Sequence, residues 1–412
     1  MAESIFQNIS EAGTSIVMQN AVKLGFSFDN TSWVNFGQGA PELGIIDGDL
    51  PRIQQIDVSQ FAGYAPASGT KELRQKIADY YNQIYRSNKT SKYSFKNVSV
   101  TGGGRNALMR VLLSLDKINF GFLNPDYTAY KGQLDACQNL TPKSLELNSQ
   151  DGFKISTNRI TDFITKQNIQ AFLFSNPCNP TGQCIVGDEL EELVKFAAKN
   201  NILTIIDEFY SRFVYPDSIT DDHGKSFSSS SHIEDVNKDP ILIIDGFTKG
   251  WRYPGFRLSW IIGPEDIIDK INAVASFLDG GAPNPLQNAV LELLDPTKAE
   301  TSVTALKREF NKKRLYLVEN LLALGFKIQS IPQGAFYIYA DISSLPKGLN
   351  TDLEFTQKML ENKLIVIPGR YFDLSDTADT PQAKFSQFVR FSYGCSMDEV
   401  KIGVEKLREV LG

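Results

Sequence analysis

The sequence predicts an α/β protein with a large domain on a mainly parallel central sheet and a smaller α+β domain after it. Three observations carry this. Between about residues 97 and 264, apolar runs of strand length alternate with helical patterns, the order expected when helices cover both faces of a parallel sheet. Residues 301–324 then form a long helical pattern, followed by short strands and a last helix. The length of 412 residues also exceeds what one hydrophobic core usually holds. The expected division is an N-terminal segment at 1–50 packing on the small domain, a large domain at 51–295 and the small domain at 296–412.

The elements follow in order. Strands are expected at 98–101, 119–123, 169–174, 202–206, 241–244 and 258–262, each a run of apolar or β-branched residues. A helix at 188–199 places Leu190, Leu193, Val194 and Ala197 on one stripe. The C-terminal part reads as strands at 335–339, 364–367 and 388–391, then a helix at 397–411.

Composition removes several classes of function. A net charge of −6 argues against a nucleic-acid partner, which needs a basic face. No run is long enough to span a bilayer and no secretory leader is visible, so a soluble, cytoplasmic protein is expected. Cys137, Cys178, Cys184 and Cys395 lack metal or disulfide spacing, and no metal site is expected. Both histidines, His223 and His232, fall in a polar stretch at 216–240 that contains Ser228 to Ser231 and reads as a mobile surface excursion. Proton transfer is therefore left to Lys, Tyr, Asp or Glu.

Each central strand ends in a polar signature, and α/β proteins bind ligands at that edge. Strand 98–101 runs into Gly102, Gly103, Gly104, Arg105 and Asn106 before a helix, a turn whose bare N–H groups suit a phosphate. It lacks the spacing of a dinucleotide fingerprint, so a smaller phosphate ligand is implied. Tyr127 follows the next strand and offers a face to a flat ring. After 169–174, two prolines and Gly182 fix a turn that aims the Asn179 amide at a ring oxygen or a carboxylate. Strand 202–206 delivers Asp207, a carboxylate that needs a cationic partner such as a protonated pyridine nitrogen, with Tyr210 within reach of a ring hydroxyl. Strand 241–244 ends close before Lys249, and Arg257 follows. Desolvation and a cationic neighbour would lower the Lys249 pKa and free its amine as nucleophile and base.

These signatures, with Asn35-Phe-Gly-Gln-Gly39-Ala-Pro41, Tyr64-Ala-Pro-Ala-Ser-Gly69 and Val389-Arg390-Phe-Ser, give a chain that resembles the class I/II aminotransferases of the fold-type I family over nearly its whole length. The resemblance implies pyridoxal 5'-phosphate, held as a Schiff base by Lys249, which later carries the proton at the substrate Cα. It implies that Asp207 keeps the pyridine nitrogen protonated, that Asn179 and Tyr210 bond the ring oxygen and that Tyr127 stacks on the ring. Gly103, Gly104, Arg105 and Arg257 would hold the phosphate, with Tyr64 supplied by a second subunit of a homodimer, and Thr248 would be a further cofactor contact. Arg390 would clamp the carboxylate of an amino-acid substrate, helped by the Gly39 N–H.

Two departures stand out. Many relatives have a serine where this chain has Gly246 and a small neutral residue where it has Arg105, so the cradle is expected to exchange a hydroxyl for a guanidinium. No arginine occurs between Arg257 and Arg308, whereas Asp279 and Glu42 are candidates to flank the side-chain pocket. That suits a cationic side chain, guanidino or amino. The stretch from Asp245 to Arg257 also looks like a sub-branch with capreomycidine synthase-like enzymes, which cyclise hydroxylated arginines. Transamination is the default expectation and elimination with cyclisation the alternative. A non-catalytic ligand sensor is the reading from another class.

Overall fold

In a computed structural model, residues 11–216, 226–375, 380 and 383–412 are described. A first strand, β1 (Val34–Asn35), precedes the main sheet. β2 (Val98–Thr101), β3 (Ile118–Asn124), β4 (Leu140–Glu146), β5 (Ala171–Ser175), β6 (Leu203–Asp207), β7 (Ile241–Gly246) and β8 (Ser259–Ile262) then form seven strands in the order β2-β8-β7-β6-β5-β3-β4. The pairs β7/β6, β6/β5, β5/β3 and β3/β4 are parallel. β8 runs antiparallel to both β7 and β2, which makes the sheet mixed at that edge. The cause is the link between β7 and β8: it contains no crossover helix, and a parallel return needs one. β4 escapes the sequence reading because it is an edge strand with Thr141 and Pro142 exposed, so its pattern is not apolar.

Helices cover both faces. The chain-order set is α1 (Gly13–Lys23), α2 (Lys71–Ile84), α3 (Gly104–Ser114), α4 (Ala129–Asp135), α5 (Thr157–Gln167), α6 (Gly187–Asn200), α7 (Glu265–Leu278), α8 (Asn284–Ala289), α9 (Pro296–Ala323), α10 (Asp352–Glu361) and α11 (Met397–Leu411). Strand alternation divides the core in two. Val98, Val100, Trp260 and Ile262 pack towards α2, whereas Ile261, Leu242 and Ile244 pack towards α3 and α7. α9 begins earlier than expected because Pro296 takes the first helical position and the Asp295 side chain accepts from the Lys298 N–H at 2.9 Å.

The C-terminal strands are β9 (Tyr337–Asp341), β10 (Leu364–Ile365), β11 (Ile367–Pro368) and β12 (Phe388–Ser392). The strand expected at 364–367 is split. β11 joins β12 and β9 in an antiparallel sheet, while β10 pairs in parallel with β1. The N-terminal segment is thereby fastened beside β12, which carries Arg390.

The serine run is not a surface excursion. Ser229 and Ser230 are fully buried, and the Ser229 N–H and hydroxyl both donate to Glu208. Most of its polar groups are satisfied internally, Ser230 Oγ being left without a partner among the described residues, and composition does not reveal this. Residues 217–225, including His223, lie outside the described residues.

Candidate active site

The register of the parallel strands sets the site. Ser175 at the end of β5 pairs with Asp207 at the end of β6, and Asp207 pairs with Ile244 of β7, so three polar turns open at one level. A cavity of about 640 Å³ lies there. Gly39, Gly104, Arg105, Tyr127, Asn179, Asp207, Tyr210, Thr248, Lys249, Arg257 and Arg390 line it together.

Lys249 is the half-buried amine at the centre. Its Nζ donates to the Gly39 carbonyl, and its pKa is lowered to about 7 by burial first and by the Arg390 and Arg257 charges second. Asp207 is held opposite. Tyr130 donates its hydroxyl to the Asp207 carboxylate at 2.7 Å, yet burial raises the Asp207 pKa to about 6. A carboxylate so placed gains from a cation brought close to it.

Arg390 is completely enclosed. Its guanidinium donates to Asn179 Oδ1 at 2.8 Å and to the Gly37 carbonyl, lies 4.2 Å from the Tyr337 ring, and leaves Nε without a partner among the described residues. Asn179 thus meets the arginine in this structure. Tyr210 and Tyr337 share a hydrogen bond at 2.6 Å between their hydroxyls. Arg105 is exposed into the cavity and its guanidinium donates to the Tyr127 hydroxyl at 3.1 and 3.2 Å.

The glycine turn after β2 opens α3 without a side chain. Gly103 has φ 105° and caps α3 with no side chain, and a Cβ there would meet the Arg257 guanidinium at 2.1 Å. A Cβ on Gly104 would meet the Phe209 ring at 2.4 Å. The first N–H groups of α3 therefore stand bare beside Arg257. Thr248 Oγ1 is buried nearby with no partner among the described residues.

Two candidates are engaged elsewhere, which corrects the expectation that they flank the side-chain pocket. The Asp279 carboxylate accepts two hydrogen bonds from the buried Arg110 at 2.6 and 3.0 Å, and Glu42 accepts from the buried Lys313 at 2.5 Å. Neither lines the cavity, since each neutralises a buried cation. Tyr64 is fully exposed and outside the cavity of its own chain. Sequence reasoning missed Tyr130 and Tyr337 as well as Thr14, Ser15, Met18 and Gln19 of α1, which close one wall. Only the i, i+4 spacing of the last four hinted at a shared face.

The donor set fits pyridoxal 5'-phosphate: an amine free near neutrality, a buried carboxylate for a ring nitrogen, and orphan donors beside a bare helix start. The chain belongs to the aminotransferase class I and II family, matching it over residues 31–407, and members of that family use this cofactor. It is 26% identical to the aspartate aminotransferase of Sulfurisphaera tokodaii, over 99% of this chain and 97% of that protein. It is also 26% identical to a probable aspartate/prephenate aminotransferase of Aquifex aeolicus, over 92% and 91%. The solved aspartate aminotransferase from Thermus thermophilus with maleate has the same fold, with a TM-score of 0.78 at 23% identity over 98% of this chain and 97% of that one. The protein is therefore a pyridoxal-phosphate-dependent enzyme of the aminotransferase kind, and the non-catalytic reading falls.

Among the described residues, no helix is long and apolar enough to cross a membrane, and no cluster of His, Cys, Asp and Glu has the makings of a metal site.

Proposed function

We propose that this enzyme moves the amino group of an α-amino acid with an acidic side chain to a 2-oxo acid, and that it works as a homodimer. The observation that carries the substrate class is Arg105. Among the charged residues lining the cavity, Arg105, Lys249, Arg257 and Arg390 are cations and Asp207 is the one anion. Arg257 suits the cofactor phosphate and Arg390 the substrate α-carboxylate, which leaves Arg105 facing the cavity without an ion-pair partner among the described residues. A guanidinium in that position favours a second carboxylate and disfavours the cationic side chain expected from the sequence. The relatives named above as aspartate and aspartate/prephenate aminotransferases support this reading, as does the dicarboxylate maleate with the Thermus enzyme.

Bound pyridoxal phosphate would supply the electron sink for charge left at the substrate Cα. The chain's residues do the rest. Asp207, ionised above its pKa of about 6, would hold a protonated ring nitrogen. Lys249, with its amine deprotonated near neutrality, would take the Cα proton and return it one position away. Arg390 would release Asn179 to grip the α-carboxylate with both guanidinium nitrogens. Tyr127 and Arg105 would close over the ring from the mouth.

Exposed Leu43, Ile45, Val58, Tyr64 and Phe277 support a dimer, since a monomer in water gains nothing from presenting them. Tyr64 would then serve the partner's cavity.

The test is a panel of aspartate, glutamate, arginine, lysine and a hydroxylated arginine, each with and without 2-oxoglutarate, with products read by mass. Preference of at least tenfold for acidic donors, and dependence on the acceptor, support the proposal. Faster turnover of basic donors overturns the substrate class. Product from the hydroxylated arginine without acceptor would establish cyclisation instead.

A further inference from the structure

The hydroxyl of Ser259 is fully buried and has no hydrogen-bond partner among the described residues. Thr248 Oγ1, across the turn after β7, is in the same condition. Burying a hydroxyl unpaired lowers stability, so two such groups around one strand end point to a ligand that accepts from both.

Strand alternation tells where Ser259 points. It pairs with Thr101 of β2 on one side and with Gly246 of β7 on the other. Two residues further on, Ile261 packs in one cluster with Ala107 and Val111 of α3. Two residues before Thr101, Ser99 accepts a hydrogen bond from Arg110 of α3 at 3.1 Å. Trp260 faces the other way and donates its indole N–H to Tyr81 at 3.2 Å. Ser259 therefore projects on the α3 face of the sheet, beside the end of β2 that leads into Gly103 and the bare first turn of α3.

Gly246 supplies the second line of argument. A Cβ there would lie 2.5 Å from Ser259 Oγ and 2.7 Å from the Leu258 carbonyl oxygen, so this backbone admits only glycine where many relatives carry serine. The hydroxyl missing from β7 is present on β8, at the place where a side chain on Gly246 would begin.

We propose that Ser259 is a cofactor-binding residue: with Thr248, it donates its hydroxyl to the phosphate of pyridoxal 5'-phosphate, alongside the Arg257 guanidinium and the first N–H groups of α3. The cradle keeps its hydroxyl by moving it across a strand pair, and Arg105 is left free for substrate. This rests on pyridoxal phosphate as the cofactor, and the experiment separates the two.

Apo wild type, Ser259→Ala and Ser259→Cys are titrated with pyridoxal phosphate, the phosphorus resonance of the bound cofactor is recorded, and the melting temperatures of the apo forms are compared. The alanine variant should bind roughly tenfold more weakly, as expected for loss of one hydrogen bond to a charged group. Its phosphorus resonance should shift, while its apo form melts no lower than wild type because an orphan hydroxyl is gone. Ser259→Cys keeps the bulk and weakens the donor, so it should follow alanine, and it decides alone should the alanine variant fail to fold. Affinity within twofold of wild type and an unmoved resonance overturn the proposal. Failure of wild type itself to take up the cofactor overturns the cofactor assignment instead.

Discussion

Arg390 and Asn179, far apart in sequence, meet through a hydrogen bond of 2.8 Å in the wall of the cavity. Asn179 belongs to the turn after β5 and Arg390 to β12, so the bond ties the central sheet to the C-terminal sheet. In the function proposed above, Arg390 reaches a substrate carboxylate from this position. Arg390→Lys keeps the charge but loses the planar fork, and kcat/KM should fall roughly 100-fold or more, mostly through KM. Steady-state kinetics over a range of donor concentrations checks this.

Lys249 should react at a pH unusual for lysine. Its pKa of about 7, against an ordinary 10.5, means that the nucleophilic amine appears as pH rises through 7. Reductive alkylation of Lys249 in the apo enzyme, followed by peptide mass mapping, should reach half its maximal rate near that pH. Because the folded pKa is depressed, the unfolded chain binds more protons between 7 and 10.5, and this group's contribution to stability rises with pH across that window.

Asp207 carries the opposite sign. Burial raises its pKa from 3.8 to about 6, so the folded form binds more protons between those values and stability falls as pH rises through them. The cost is fully present above about 6. Asp207→Asn should stabilise the apo form at pH 8 by something of order 2 kcal/mol and give no gain near pH 3, while turnover collapses. Apo melting temperatures at the two pH values decide it.

Arg105→Ala separates substrate class from cofactor binding. KM for acidic donors should rise up to roughly fivefold, the loss of one partly solvated charge pair, with little change for alanine as donor. Cofactor affinity should stay near that of wild type.

Asp279→Ala should act on the fold alone. Arg110 is fully buried, and removing its carboxylate partner should cost about 3 kcal/mol of stability. Denaturant unfolding measures that cost, and the ranking of donor amino acids should not change.

The sheet edge was legible because each strand is an apolar run that stops at a polar signature, and order along the chain then delivers Tyr127, Asn179, Asp207 and Lys249 to one line. The antiparallel β8 was not legible, since its side chains look the same whichever way the strand runs. Glu42 and Asp279 misled for a related reason. An acid near a pocket and an acid on a buried cation have the same letters, and only the positions of Lys313 and Arg110 distinguish them. Tyr130 and Tyr337 were hidden by their apolar bodies, because an aromatic in a strand or helix reads as core until its hydroxyl finds a partner.

The pairing of β1 with β10 also orders events in time. The strands beside Lys249 and the glycine turn are all made once β8 has been synthesised, but β10, the partner of β1 next to Gly37 and Gly39, follows later, and Arg390 later still with β12. A growing chain thus holds Lys249 before it has the Arg390 charge that helps lower the pKa of that amine in the folded protein. The arginine proposed to hold the α-carboxylate is thus among the last parts of the site to be synthesised, long after the Arg105 proposed to choose the side chain.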